Sequence, residues 1–390
     1  MKHVVHVSND FYPLSSGINT HLQNLLPELT KQGFKVTLLV PTASNDKKRE
    51  DIFVDSSREH FTCVRVKYPA GTNLISKLYS LTKSTRSGLQ WIKEQIGEIE
   101  IIHQHDNRAT RIGATYYARD KDIPVIWTNH SSGFFRSEDL SARMITYIPG
   151  IRPDAVIVVH RMLLEPNRSF FNDSEVRYIP NGVNLKHFQP GKRFSKKELV
   201  ILFPQRMIPQ KGVEVLAKAA KVLLQHQDGL EFKFLFAGSG DASNRDSGVI
   251  KRVKELLNED VEKENVQFLG NPTYKEMPAF YSEADIVVLP LQVETENISV
   301  FEAWATGTPL ITTKQVEKNG YMVHNENCLV VPDQDPEKLS EAIIRLAGDL
   351  QLRQTLSANG RELVQNQFRW FHAAEKTADF YREVLTTKNI

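Results

Sequence analysis

The feature that most constrains the fold is a punctuation of short apolar runs alternating with longer helical patterns, and it occurs in two series along the chain. In the first, apolar runs at 4–7, 36–40, 99–103, 125–128 and 155–159 alternate with segments such as 18–31, whose apolar residues recur at helical spacing. In the second, runs at 199–203, 232–237, 266–269, 286–289 and 310–312 alternate with helical patterns over 213–224 and 249–257. Runs this short mark strands buried on both faces of a parallel sheet, and parallel neighbours need a crossover, usually helical. Between the series lies IPNGVNLKHFQPGKRF, residues 179–194, with two prolines, two glycines and no periodicity. That is the composition of an interdomain connector. The reading is two doubly wound α/β domains, residues 1–185 and 195–370, which a chain of 390 residues is long enough to supply with separate cores. A last helix from about Trp370 places Trp370, Ala374, Tyr381 and Leu385 on one face, which therefore packs against something.

Composition narrows the functional classes. No apolar run approaches the roughly 18 residues that span a bilayer, and MKHVVHVSNDF reads as a strand, without the apolar core of a secretion signal. The two cysteines, Cys63 and Cys328, have no paired spacing, so neither a disulfide framework nor a thiolate zinc site is expected and a cytoplasmic setting fits. Residues 1–190 carry 24 Lys and Arg against 19 Asp and Glu, and residues 191–390 carry 25 against 28. The halves are thus +5 and −3, which sum to the net +2. The mildly basic first half leaves room for peripheral contact with an anionic membrane face, while the lack of a dense basic stripe interleaved with aromatics argues against nucleic acid.

Ligand chemistry concentrates in loops that follow strands. PLQVETENISVFEAWATGTPLI, residues 290–311, leaves the strand at 286–289 and opens a short helix with Asn297 as candidate N-cap. Free amides at 297–299 suit a phosphate, with Glu294 and Glu302 eight residues apart on either side of it. Ser299-x-x-Glu302 also reads as a capping box, which would give Glu302 a purely structural task. Arg206 and Lys211 flank the loop MIPQ after the strand at 199–203, where a fixed guanidinium fork and a mobile ammonium could clamp a diphosphate that gains charge as it departs. Gly17 precedes a helix and could bring main-chain amides to a phosphate. Gly238-Ser239-Gly240 follows a strand without completing a dinucleotide fingerprint, and no nucleoside-triphosphatase loop is present. Nine of the twelve histidines lie in the first 190 residues. His103 and His105 could share an ion, but spacing sets no third ligand, and no metal is expected; His130 follows a strand and could donate to a sugar hydroxyl or a phosphate.

Taken together, FYPLSSGINTHL, IIHQHD, TNH, PNGVN, the Arg206 to Lys211-Gly212 loop, GSGD, VQFLG and Glu294 with Glu302 in EAWATGTPLI resemble the retaining, nucleotide-sugar-dependent glycosyltransferases of family 4, over nearly the whole chain. The resemblance implies the GT-B fold, two facing Rossmann-like domains with a C-terminal helix over 371–390 that returns to the first. It implies Glu294 at the donor sugar, Glu302 on the ribose hydroxyls, Arg206 and Lys211 on the departing diphosphate, and Gly17 close to that diphosphate. It puts His130 beside the transferring sugar, Gly238 and the amides of Asn297, Ile298 and Ser299 on the nucleotide-sugar, and Gly270 and Asn271 near the base. No cofactor is implied beyond the donor, of which UDP-glucose is the first expectation. The partner is an acceptor hydroxyl, and the setting is envelope or extracellular polysaccharide synthesis. The chain departs from the family at Glu296 and Asn297, at Trp304 within EAWA, at KQVEKNGYMV and at Ser16, which bears on donor identity. A sugar-nucleotide epimerase, a phosphorylase, for which no motif marks the pyridoxal lysine it would need, and a non-catalytic nucleotide-sugar-binding protein are the rival readings.

Overall fold

The structure is a computed structural model that describes residues 1–390 apart from 10, 12–15, 45–50, 58, 70–72, 106–108, 131–150, 172–174, 192–197, 226–228, 241–246, 259, 261–263, 293–297, 318, 389 and 390. The chain divides into two compact units, Met1–Asn181 with Trp370–Ile390, and Gly182–Arg369.

The first unit runs β1 (His3–Val7), α1 (Gly17–Lys31), β2 (Lys35–Ser44), β3 (Asp51–Asp55), β4 (Thr62–Pro69), α2 (Leu74–Gln95), β5 (Ile101–Gln104), α3 (Ala109–Arg119), β6 (Val125–Asn129), β7 (Ala155–Val158), α4 (Leu164–Phe171) and β8 (Glu175–Tyr178). Its sheet has the order β3-β4-β2-β1-β5-β6-β7-β8. Every pairing is parallel except the β3/β4 edge, an antiparallel pair that the apolar runs did not indicate. Strand β1 is buried along its length because it is central, with β2 and β5 on its flanks, and its register sets His6 opposite His103. Helix α1 starts where the Ser16 hydroxyl accepts the Asn19 amide at 3.0 Å, and it buries Leu22, Leu25, Leu26 and Leu29.

The final helix, α12 (Trp370–Lys388), belongs to this first unit and packs on α1. Trp370, Ala374 and Tyr381 are buried and Leu385 is half-buried, the face expected from spacing. Arg382 caps the contact by donating to the Gln32 carbonyl at 3.1 Å.

The second unit runs β9 (Glu198–Phe203), α5 (Val213–Leu224), β10 (Glu231–Phe236), α6 (Ser247–Leu256), β11 (Val266–Phe268), α7 (Met277–Glu283), β12 (Ile286–Leu289), α8 (Ile298–Ala305), β13 (Leu310–Thr313), α9 (Lys314–Glu317), β14 (Leu329–Val331), α10 (Pro336–Gly348) and α11 (Leu350–Gln367). Its sheet, β11-β10-β9-β12-β13-β14, is parallel throughout. The strand order reverses at β9, so the crevice between the carboxyl ends of β9 and β12 is the switch point where such sheets take ligands. The segment read as a connector is packed within this unit. Val183 and Phe188 join its core, and a Cβ on Gly191 would meet the Ser282 carbonyl oxygen at 2.4 Å.

Candidate active site

Three loops of the second unit converge on the carboxyl ends of β9, β10 and β12 and are laced together by short contacts. Gln205 Nε2 donates to Ser299 Oγ at 2.8 Å, and that hydroxyl donates to the Pro204 carbonyl at 3.2 Å, tying the β9 loop to the first turn of α8. The Met207 amide donates to the Ser239 carbonyl at 2.9 Å, and Gln292 donates to Gln210 at 3.0 Å. Two glycines permit this closeness. A Cβ at Gly238 would stand 1.9 Å from the Gln205 carbonyl oxygen. Gly212 combines a positive φ of 71° with a Cβ position only 1.8 Å from the Pro290 carbonyl oxygen, so no other residue fits there.

This lacing positions the predicted clamp. Arg206 is exposed, and Lys211 is half-buried at the end of a single 3-10 turn, Pro209–Lys211, which Gly212 closes in left-handed conformation. Burial draws the Lys211 pKa down to about 8, and the Arg206 charge adds to the effect. Two cations held this way gain from any anion that enters between them. Ile298 and Ser299 are the first two residues of α8, where main-chain N–H groups have no intrahelical acceptor. Glu294 and Asn297 lie outside the described residues.

Glu302 sits one turn into α8 and is buried. It accepts the Tyr281 hydroxyl at Oε2, 2.8 Å away. Burial raises its pKa to about 7, with the Tyr281 hydrogen bond opposing the rise, and the Tyr281 hydroxyl is itself pushed well above its usual range by burial and the neighbouring carboxylate. The capping-box alternative is not what the helix does: Ser299 lies inside α8, and its hydroxyl is committed to Gln205 and Pro204. Tyr281, on α7, is a partner of Glu302 that sequence reasoning missed, since nothing in MPAFYSE distinguishes it from a core tyrosine. Gly270, at φ 70°, and Asn271 are exposed just after β11, at the edge of the same row of strand ends. Trp304, the departure from the family pattern, is fully buried in the core; its indole Nε1 donates to the Asn327 carbonyl at 2.9 Å, and its ring fills the space left by Gly360.

In the first unit, Gly17 opens α1 and is exposed, and a Cβ there meets no described atom within 4 Å. Packing therefore does not demand glycine. His130 follows β6 and is half-buried, and it does not stand alone. His6, His21, His103 and His105 crowd beneath it with ring centroids 4.3 to 5.6 Å apart, brought together by the register of β1 and β5 and by α1. Burial pushes every one of these imidazoles down, His6 to about 3 and His21 to about 4, so all are neutral near pH 7. His103, buried, bridges the Tyr381 hydroxyl at 2.5 Å and the Thr128 hydroxyl at 2.6 Å, linking the sheet to α12.

Two doubly wound units, one with its ligand crevice at the switch point, define a protein of the GT-B class. The solved sucrose-phosphate synthase from Thermosynechococcus elongatus shares this fold, with a TM-score of 0.79, 22% identity, and coverage of 99% of this chain and 100% of that one. The family described as "Glycosyltransferase Family 4" matches residues 15–187, and "Glycosyl transferases group 1" matches residues 186–363. The chain belongs to the family 4, group 1 glycosyltransferases. It is 25% identical to a D-inositol 3-phosphate glycosyltransferase of Saccharomonospora viridis, over 95% of this chain and 90% of that protein. It is also 25% identical to the GDP-mannose-dependent alpha-(1-6)-phosphatidylinositol monomannoside mannosyltransferase of Mycobacterium tuberculosis, over 98% of each. Among the described residues, no helix is long and apolar enough to cross a membrane.

Proposed function

We propose that this glycosyltransferase moves a hexose from a nucleoside-diphosphate sugar to an acceptor hydroxyl with retained anomeric configuration and without a divalent metal. The observation that carries the reading is the laced crevice of the second unit, where Arg206, Lys211 and the start of α8 supply positive charge beside a buried carboxylate, Glu302. Arg206 and Lys211 stabilise the diphosphate as it leaves, the service a magnesium ion gives elsewhere. The amides of Ile298 and Ser299 receive its distal phosphate, and Glu302 accepts ribose hydroxyls through the oxygen that Tyr281 leaves available. Glu294 holds the donor sugar, and Gly17 and His130 are the first unit's contributions, in the roles that the resemblance gives them. The leaving phosphate takes the acceptor's proton on the face it vacates.

A UDP-hexose, UDP-glucose first, is the proposed donor. The mycobacterial relative's name makes a GDP-hexose the competitor to test beside it. The acceptor is proposed to belong to envelope or extracellular polysaccharide synthesis at the cytoplasmic face of a membrane. In support, the first turns of α2 expose Ile75 and Tyr79, with 79% and 68% of their surface accessible, next to exposed Lys77 and Lys83. Nuclear magnetic resonance of the product tests the reading. Acceptor-dependent formation of a glycoside with the donor's anomeric configuration is expected. A free epimer formed without acceptor would instead assign an epimerase, and an inverted linkage would remove the retaining mechanism.

A further inference from the structure

The histidines beneath His130 form two overlapping triads, and they differ in what their ring nitrogens have left to offer. In His6, His103 and His105 the nitrogens are largely committed. His6 Nδ1 meets His105 Nε2 at 2.8 Å, His6 Nε2 meets the Tyr381 hydroxyl at 3.4 Å, and His103 spends both nitrogens on Tyr381 and Thr128. The second triad is His21, His105 and His130, with one ring nitrogen of each within 4.8 Å of the others. Here His21 Nε2 is buried and has no hydrogen-bond partner among the described residues. His105 Nδ1 and His130 Nε2 stand 3.3 Å apart. That separation is longer than the roughly 2.9–3.0 Å usual for an N–H donor. It matches the roughly 3.3–3.4 Å between two nitrogens that share a tetrahedral zinc with bonds of about 2.0–2.1 Å.

We propose that His21 Nε2, His105 Nδ1 and His130 Nε2 form a site for a divalent transition ion of the zinc type, with a fourth position open to water or an anion. The surroundings are built as they are around metal-ligating histidines, where the second ring nitrogen is held by a hydrogen bond that fixes tautomer and orientation. His21 Nδ1 donates to Asn181 Oδ1 at 2.6 Å, and His105 Nε2 is held by His6, which is in turn held by Tyr381. His130 is the least buried of the three. The neutral imidazole is the form that ligates a metal. Three neutral ligands leave the ion's charge uncompensated, so an anion or hydroxide fills the fourth position. The ion is distinct from the diphosphate clamp, which lies in the second unit and needs none. One consequence rests on the proposed role of His130: an ion that takes its Nε2 withdraws it from the sugar, so the metal inhibits transfer.

Cobalt is the probe, because a tetrahedral nitrogen site gives Co2+ intense visible bands that a hydrated octahedral ion lacks. The full chain is stripped with EDTA, dialysed and titrated with Co2+, then with Zn2+ as competitor. One tetrahedral Co2+ per chain, bleached by Zn2+, is the expected result. His21→Gln and His130→Gln are each expected to lower affinity by more than the roughly 10–100-fold that a lost supporting partner costs. Thermal unfolding of both variants confirms that they fold. Absence of the bands, or bands of equal strength and affinity in both folded variants, would overturn the site. A second arm measures donor-dependent nucleotide release with and without Zn2+. Inhibition of the parent supports the consequence, and binding without inhibition overturns that consequence while leaving the site standing. The cobalt titration uses no nucleotide sugar, so its failure is separate from failure of the transferase reading.

Discussion

Gly17 and Gly212 are both loop glycines in the sequence, yet the structure gives them opposite accounts, and a pair of substitutions separates the two. At Gly212 the positive φ and the Pro290 carbonyl leave no room for a methyl group. Gly212→Ala should cost about 2–4 kcal/mol in chemical denaturation and carry Lys211 out of place. At Gly17 nothing described lies within 4 Å of an added Cβ, so Gly17→Ala should change stability by less than about 0.5 kcal/mol. If the glycine exists to admit a diphosphate, turnover should nonetheless fall at least tenfold, and an unchanged turnover would remove Gly17 from the site. Glu302 gives a second prediction, in pH. Its folded-state pKa of about 7 exceeds the ordinary value of 4.5, so folding favours the protonated form. The contribution is fully present below pH 4.5 and is lost as pH rises through 7, on the order of 3 kcal/mol. Between pH 5 and 8 the ligand-free parent should lose stability that Glu302→Gln does not, and parallel pH profiles would show that the carboxyl is not desolvated. Arg206, Lys211 and Glu302 could be singled out as candidates because charged residues in, or one turn beyond, the loops after apolar runs stand out. Tyr281 and Gln205 were not, because a tyrosine in a helix and a glutamine in a loop carry no sign of the partner that the fold brings to them.

Among the elements, central parallel strands such as HVVHV and IVVL were legible, since an uninterrupted apolar run has few other uses, while the three-residue β14 at the far edge of the second sheet was not. Strands β3 and β4 escaped because β3 is the sheet edge and β4, between β3 and β2, is only partly buried. Thr62–Pro69 mixes buried and less buried residues around Arg65 and Lys67, and none of Asp51–Asp55 is buried. The histidine cluster escaped for a different reason. His103 and His105 share a face by simple alternation, but His6 joins them only through the register of β1 with β5, and His21 only through the packing of α1. Helix α12 is bound into the same network by one hydroxyl. Tyr381→Phe strands buried nitrogens of His103 and His6, and should cost about 1–3 kcal/mol in thermal or chemical unfolding. A cost near zero would mean that the Tyr381 hydroxyl adds nothing to the hold on α12.

At the level of the whole chain, two doubly wound units could be read from the two series of strands, but the boundary could not. The segment 179–194 has the composition of a linker, yet Val183 and Phe188 are core residues of the second unit, because prolines and glycines also occur where a chain makes tight contacts, as Gly191 does against Ser282. The division falls at Asn181, whose side chain serves the first unit through His21, and again at Trp370. What the whole molecule is proposed to do rests on the clamp in the second unit, so the clamp is where the account is most exposed. The direct measurement is release of UDP or GDP from a panel of nucleotide sugars by purified protein in EDTA, comparing the parent with Lys211→Ala. The account predicts slow, donor-selective release that survives EDTA and falls by at least about 100-fold in the variant, the loss typical of removing one preorganised group that stabilises developing charge. No release from any donor, with no binding of either nucleotide, or a Lys211→Ala variant as active as the parent, would contradict it.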